Sequence, residues 1–484
     1  MKQQKNNFSN QIYSLGLVII VLFVLQATMT FYSTNQIRFE ELSEAVRNVY
    51  FLQKHQIYDG ISSNVGWYGS LLVIYNLFGF NLYTAKILKL ILHLLSITSL
   101  AIILKKYLKI KHAWVLLLLF GLSPTLIYFN TLQTSYGIDM QVFPIVILLL
   151  FIWKNTKNIF ARSALAFVSW FLIMLASISY GTSLAYWPIW GIFFLWELKK
   201  STLSLLKKII QVSVATAGFF LPIVVALLYL KYPAQLLYDP QVESGIFQGG
   251  GMGESINSFS VLITHLKLSI STSLTDIFVS GKSYYYELLR VEFSHRIFPW
   301  IVSGLLGVSI LVFYRYPKSK LIISTGFLLI LVGTILGGIS DWFPGIRRMT
   351  PVLIGFNVIL IGIWKILPQM LKDKTWIKKI GFFTLISIGL MIVYRLKIFP
   401  QNIQGLKLDS KNKAGKCFHL SNKTPRESLE FFVSQAQKNK PINVPDDCRL
   451  HELYPAIAGS CQWNHLNCGE IIFAGDEKFK KPKK

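Results

Sequence analysis

Three groups of residues in this chain have types and spacing suited to chemistry. The first is the adjacent acids Glu40 and Glu41, in the stretch from Arg38 to Leu52. Apolar Phe39, Leu42, Val46, Val49, Tyr50 and Leu52 recur there at helical spacing, which predicts a short amphipathic helix on a membrane surface. A carboxylate in that place can act as general base toward a hydroxyl or amine. The plainer reading is a solvated polar face on an interfacial helix. The second is Asp139, which closes the turn Gln133-Thr-Ser-Tyr-Gly-Ile-Asp139 and is the only acid between Asp59 and Glu197. An acid at the lip of a membrane bundle is costly unless solvated, paired or useful. The alternative is a cap for the helix that follows. The third is Arg347 and Arg348, in the turn between Asp341 and Pro351. The planar donor fork of arginine suits a phosphate. Pairing with Asp341 or with anionic headgroups is the competing role.

Lys86 and Lys89 are near the start of an apolar run. Lys86 is a candidate phosphate contact, whereas Lys89 is expected to snorkel to the interface. His93 lies deeper and reads as a satisfied interior residue. The cluster Gly249-Gly-Gly-Met-Gly253 lacks the Lys-Ser/Thr of a phosphate loop and reads as a flexible lid. The stretches 262–278 and 284–293 read as surface helices.

The elements that must position these groups are membrane spans. The chain has 484 residues, 53% of them hydrophobic and 15% charged, and a mean hydropathy of +0.48. Apolar runs of roughly 16 to 22 residues recur between short polar segments, which defines a multi-span helical membrane protein. The net charge of +26 does not mark a nucleic-acid binder. Its Lys and Arg residues fall in short clusters between apolar runs, with no stripe of interleaved aromatics. About eleven spans are expected, near 12–32, 83–104, 113–129, 140–153, 163–180, 184–198, 209–230, 297–314, 321–339, 350–367 and 380–398. The third carries Pro124 inside it, and 67–78 reads as re-entrant or interfacial. The first run is expected to be an uncleaved anchor.

With the N-terminus cytoplasmic, every Lys-rich turn falls inside. Glu197 and Asp373 are then the only acids on that side. The other carboxylates gather on the outer face. Cys417, Cys448, Cys461 and Cys468 all lie in the polar tail, which an odd number of spans places outside, where disulfides form. Two bridges are expected, with three pairings open. Zinc held by these cysteines with His451 and His465 is the lesser alternative, because no C-x-x-C pair is present. The expected organisation is a membrane domain over 1–398, with a long outer loop over 231–295, and a small disulfide-stapled domain over 399–484.

These residues resemble a family. An acidic pair on an outer amphipathic helix is followed by Gly66-Trp-Tyr-Gly-Ser-Leu-Leu and Leu-Phe-Gly79-Phe-Asn-Leu-Tyr-Thr-Ala-Lys86. Gly-Leu-Ser-Pro124 and a turn ending in Asp139 come next. The series is similar to the polyprenyl-phosphate-sugar-dependent glycosyltransferases of the GT-C fold, of the protein mannosyltransferase and aminoarabinose transferase type. The resemblance covers about 12–160 and 341–360, where Arg-Arg-Met-Thr-Pro351 looks like the family's Arg-aromatic-x-x-Pro segment. It implies an acid in the first outer loop, here Glu40-Glu41 where Asp-Glu is usual, and a second acid matching Asp139. Asn64-Val-Gly66 stands where the family often has Pro-Pro or Lys-Pro.

The resemblance implies transfer of a sugar from a polyprenyl-phosphate donor to a glycan, lipid or protein acceptor at the outer face of the cytoplasmic membrane. Membrane lipids and that donor are the expected partners, and no nucleic acid. A divalent metal is an open question, as no residue cluster requires one. Three rival readings stand beside it, one of them a non-enzymatic assembly or scaffold protein. An O-antigen-type polymerase or ligase would use the long loop 231–295, and a lipid-linked-sugar transporter or flippase would need ionisable groups near the midplane.

Overall fold

The computed structural model describes residues 2–33, 43–55, 64–231, parts of 260–267, 298–338, 350–373, 375–412, 425–442 and 453–471. Helices make up nearly all of these, and no extended strand occurs among the described residues. In hydrocarbon a helix satisfies its own backbone, so apolar runs of this length have no cheaper form.

In chain order the helices are α1 (Lys2–Ser33), α2 (Asn48–Gln53), α3 (Val65–Phe78), α4 (Thr84–Ile102), α5 (Ala113–Gly121), α6 (Pro124–Thr131), α7 (Ile138–Asn155) and α8 (Ile159–Ser177). Then follow α9 (Trp187–Lys200), α10 (Leu205–Tyr229), α11 (Phe298–Arg315), α12 (Lys320–Gly338), α13 (Thr350–Lys372), α14 (Trp376–Asn412), α15 (Pro425–Gln437) and α16 (Tyr454–Trp463). A 3-10 turn, Gly181–Tyr186, leads into α9.

Among the described residues, eight helices are long and apolar enough to cross a membrane, including Tyr13–Phe31, Ile138–Asn155 and Thr350–Lys372. The chain is thus an all-helical, multi-pass membrane protein. The remaining expected spans correspond to shorter pieces. Ile301–Arg315 is apolar but short, α9 has 14 residues, and the third span is broken. Its break is chemical in origin. Ser123 accepts a hydrogen bond from the Leu126 amide at 3.5 Å, and Pro124 opens the next helix, so α6 restarts where α5 ends. The carbonyl of Leu119, near the end of α5, accepts a hydrogen bond from the buried Arg395 guanidinium on α14. A cation thereby satisfies a helix end inside the bundle.

α13 is the most enclosed of the spans and pairs closely with α12. Their contact runs through glycines at heptad spacing on each helix, Gly326 and Gly333 on α12 and Gly355 and Gly362 on α13, with Gly326 and Gly355 face to face. A Cβ on Gly355 would lie 2.6 Å from the Gly326 carbonyl oxygen, and one on Gly326 would lie 2.7 Å from that of Gly355. Small residues are what let two membrane helices approach this closely.

The end of the bundle carrying the basic turns is tied by polar contacts. Trp153 donates to Gln211 at 2.9 Å, Gln211 donates to Ser163 at 2.6 Å, and the Arg162 guanidinium stacks on the Trp153 ring at 4.5 Å. The two acids expected among these turns each meet a base there: Lys154 with Glu197 at 3.0 Å and Arg315 with Asp373 at 3.7 Å. The helix that carries the last span continues to Asn412. In the tail, Cys461 and Cys468 form a disulfide; Cys417 and Cys448 lie outside the described residues.

Candidate functional site

At the other end of α7, Gly137 stands at the N-cap with φ of 77°, the left-handed region that favours glycine. A side chain there would also collide with Phe129, since a Cβ would lie 2.7 Å from that of Phe129. Asp139 is therefore not the cap. It sits in the first turn of the helix and is fully buried, 1% exposed.

Three hydroxyls from two other parts of the chain converge on its Oδ2. Thr182 donates at 2.9 Å and Tyr186 at 3.2 Å, both from the 3-10 turn before α9. Thr350, the first residue of α13, donates the third bond. A buried carboxylate is tolerable only when so paired. Its second oxygen, Oδ1, is also buried and has no hydrogen-bond partner among the described residues.

The turn that carries Asp139 is held from below by Lys89. This lysine is fully buried, and its Nζ donates to the carbonyls of Phe129 and Tyr136, each at 2.7 Å. The expected snorkelling does not occur. One carbonyl lies just before the turn and the other within it, and binding them replaces the water that an exposed ammonium would need. Lys86, one turn earlier on the same helix, is buried as well.

A chain of amides continues the support. Gln141 donates to the Lys89 carbonyl at 3.1 Å and to Asn130 Oδ1 at 2.5 Å, and Asn130 donates to His93 Nδ1 at 2.9 Å. His93 is thus an interior residue with one nitrogen satisfied. Its Nε2 has no partner among the described residues.

The first loop connects to the same turn through α3. Asn48 donates to the Tyr68 hydroxyl at 3.1 Å, Trp67 donates to the Gln133 carbonyl at 3.1 Å, and the Gln133 side chain donates to the Leu82 carbonyl at 2.7 Å. The segment after the acidic pair, the α3 helix and the Asp139 turn therefore share one end of the bundle.

Of the sequence candidates, Asp139 and Lys86 lie among the described residues. Glu40, Glu41, Arg347 and Arg348 lie outside them, as does the glycine cluster 249–253. Thr350 follows Arg348 by two positions in the chain. Thr182, Tyr186 and Thr350 were not singled out from the sequence. Their signal was thin: polar residues at the ends of spans, in Tyr180-Gly-Thr-Ser and Met-Thr-Pro351. Among the described residues, no group of three His, Cys, Asp or Glu is placed to hold a metal ion.

The helices and this buried polar centre define a multi-span membrane protein with a carboxylate site at one end. No family model matches the chain, and no curated protein sequence matches it. Among solved structures it is similar to ArnT from Cupriavidus metallidurans bound to undecaprenyl phosphate. The identity is 12% and the TM-score 0.49, over 95% of this chain and 86% of that one. Against ArnT from the same organism in the apo state, the identity is 12% and the TM-score 0.48, over 91% and 84%.

Proposed function

We propose that this protein is a membrane glycosyltransferase, moving a sugar from a polyprenyl-phosphate-linked donor to an acceptor at the outer face of the cytoplasmic membrane. The observation that carries the proposal is the Asp139 carboxylate. Three hydroxyls fix one of its oxygens and leave the other without a partner among the described residues. An oriented carboxylate with a free lone pair is what a general base needs. The ordered motif resemblance from the first span to Asp139 supplies the substrate class.

In this reading Asp139, or the Glu40–Glu41 pair, takes the proton from the acceptor hydroxyl or amine. The acceptor atom forms a bond to the anomeric carbon. The bond from that carbon to the phosphate oxygen breaks, and the phosphate leaves with the electron pair. Arg347 or Arg348 stabilises the departing phosphate, with Lys86 as a further cation. Thr350 links this arginine segment to Asp139 through two steps of chain. A polymerase or ligase reading also uses a lipid-linked sugar and differs in acceptor.

The test is lipid analysis by mass spectrometry in cells lacking the protein, complemented by the native chain or by Asp139→Asn. The deletion should accumulate a lipid-linked sugar, the native chain should clear it, and D139N should clear it about 10²–10⁴ more slowly. Full clearance by D139N removes Asp139 from the reaction. Accumulation confined to the cytoplasmic leaflet marks a flippase instead.

A further inference from the structure

The four cysteines and the tail that carries them have no part in the proposed chemistry, yet the tail grips the membrane bundle at a defined point. Cys461 and Cys468 close a loop that contains Asn464. The side chain of Asn464 binds both backbone polar groups of one residue on the bundle, Phe80. Its Oδ1 accepts from the Phe80 amide at 2.7 Å, and its Nδ2 donates to the Phe80 carbonyl at 3.2 Å. The approach needs the preceding glycine. Gly79 has φ of 78°, and a Cβ on it would sit 2.7 Å from Asn464 Oδ1.

The neighbouring Trp463 ring packs on Tyr75 at 4.8 Å and on Phe80 at 5.4 Å. Tyr75 in turn donates from its hydroxyl to the Ala45 carbonyl at 2.9 Å. A second contact reaches the same segment directly, Tyr454 of α16 against Tyr50 of α2, ring centres 6.4 Å apart. Asn464 caps α16, its amide donating to the Ser460 carbonyl at 3.1 Å, and the loop beyond it is held by His465 amide to Gln462 carbonyl at 3.3 Å, Leu466 amide to Cys461 carbonyl at 2.8 Å, Cys468 amide to Leu466 carbonyl at 3.0 Å and Gly469 amide to Ala436 carbonyl at 3.1 Å. The disulfide closes the loop back onto the last turn of the helix.

We propose that the Cys461–Cys468 loop is a redox-sensitive latch, with Asn464 as a positioning residue that holds residues 45–53 of the first loop in place from the tail. The loop bears no reacting group. It acts through Phe80, Tyr75 and Ala45, and the disulfide keeps Asn464 presented. Reduction by a dithiol passes two electrons and two protons to the bridge. It leaves two thiols on the protein and a disulfide on the reductant, and it releases the loop. The link from first-loop order to catalysis rests on the glycosyltransferase reading; the latch itself does not.

Hydrogen–deuterium exchange of the purified full chain in lipid nanodiscs, without substrate, tests it. In Asn464→Ala, and in the paired variant Cys461→Ala with Cys468→Ala, the Phe80 amide and residues 45–53 should exchange about tenfold faster. α7 and α13 should be unchanged. Asn464→Asp keeps the acceptor and loses the donor, so it should fall between. Unchanged exchange at 45–53 in both variants overturns the latch, as does equal acceleration in every helix. Where transfer is measured, N464A should lower kcat and leave the donor KM in place, with N464D recovering part of the loss. Faster exchange at 45–53 with no transfer in any form keeps the latch and sinks the glycosyltransferase reading.

Discussion

At the level of single residues, burial decides what each ionisable group does. Asp139 was legible in the sequence because it stands alone among acids over more than a hundred positions. Its partners were not legible. Serine and threonine are common at span ends, and which hydroxyls meet a given carboxylate is set by helix packing that no spacing reveals. Lys89 shows the same limit. Its place near a span end suggests snorkelling, but the bundle surrounds it and supplies two carbonyls instead. That difference is measurable. Lys89→Met keeps the length and removes the donor, leaving both buried carbonyls short of a partner. A charged hydrogen bond of this kind contributes about 1.5–3 kcal/mol, so K89M should lower the thermal unfolding midpoint in detergent, with Lys89→Arg milder. An unchanged midpoint in K89M means the ammonium is solvated after all.

Among the helices, length and apolarity were enough to place eight of the eleven expected spans, because a chain in hydrocarbon has few options. Breaks within spans were harder to place. Pro124 could kink a continuous helix or restart one, and Ser123 as a cap with Arg395 on the Leu119 carbonyl decides for a restart. Arg395 is over 250 residues away in the chain, so no local pattern could foretell it. The α12–α13 pair was likewise hidden, since glycines at heptad spacing on separate helices announce no partner. Their closeness leaves no room for growth. Gly355→Ala would set a methyl carbon against backbone of the facing helix, and forcing such contacts costs about 1–3 kcal/mol. The substitution should lower the unfolding midpoint, whereas Gly307→Ala on α11, where nothing lies within 4 Å, should not. Equal effects at both positions contradict the packing account.

For the molecule as a whole, charge orders the two ends. Basic turns, with Glu197 and Asp373 paired among them, mark one end, while Asp139 and the α2 and α3 segment mark the other. Short loops rich in Lys and Arg stay cytoplasmic, so the carboxylate end and the disulfide loop should face outward, in the oxidising compartment. This orientation underlies the whole functional reading, because a polyprenyl-phosphate sugar is consumed on the outer side in the proposed reaction. It is also directly measurable. Intact cells treated with a reductant and then an impermeant maleimide should label Cys461 and Cys468. A single cysteine placed at Lys157, in a basic turn, should label only after the membrane is opened. Labelling of the turn in intact cells, with the tail cysteines protected, inverts the molecule. The Asp139 site would then face the cytoplasm, where soluble nucleotide-sugars are the available donors, and the lipid-linked donor would lose its rationale.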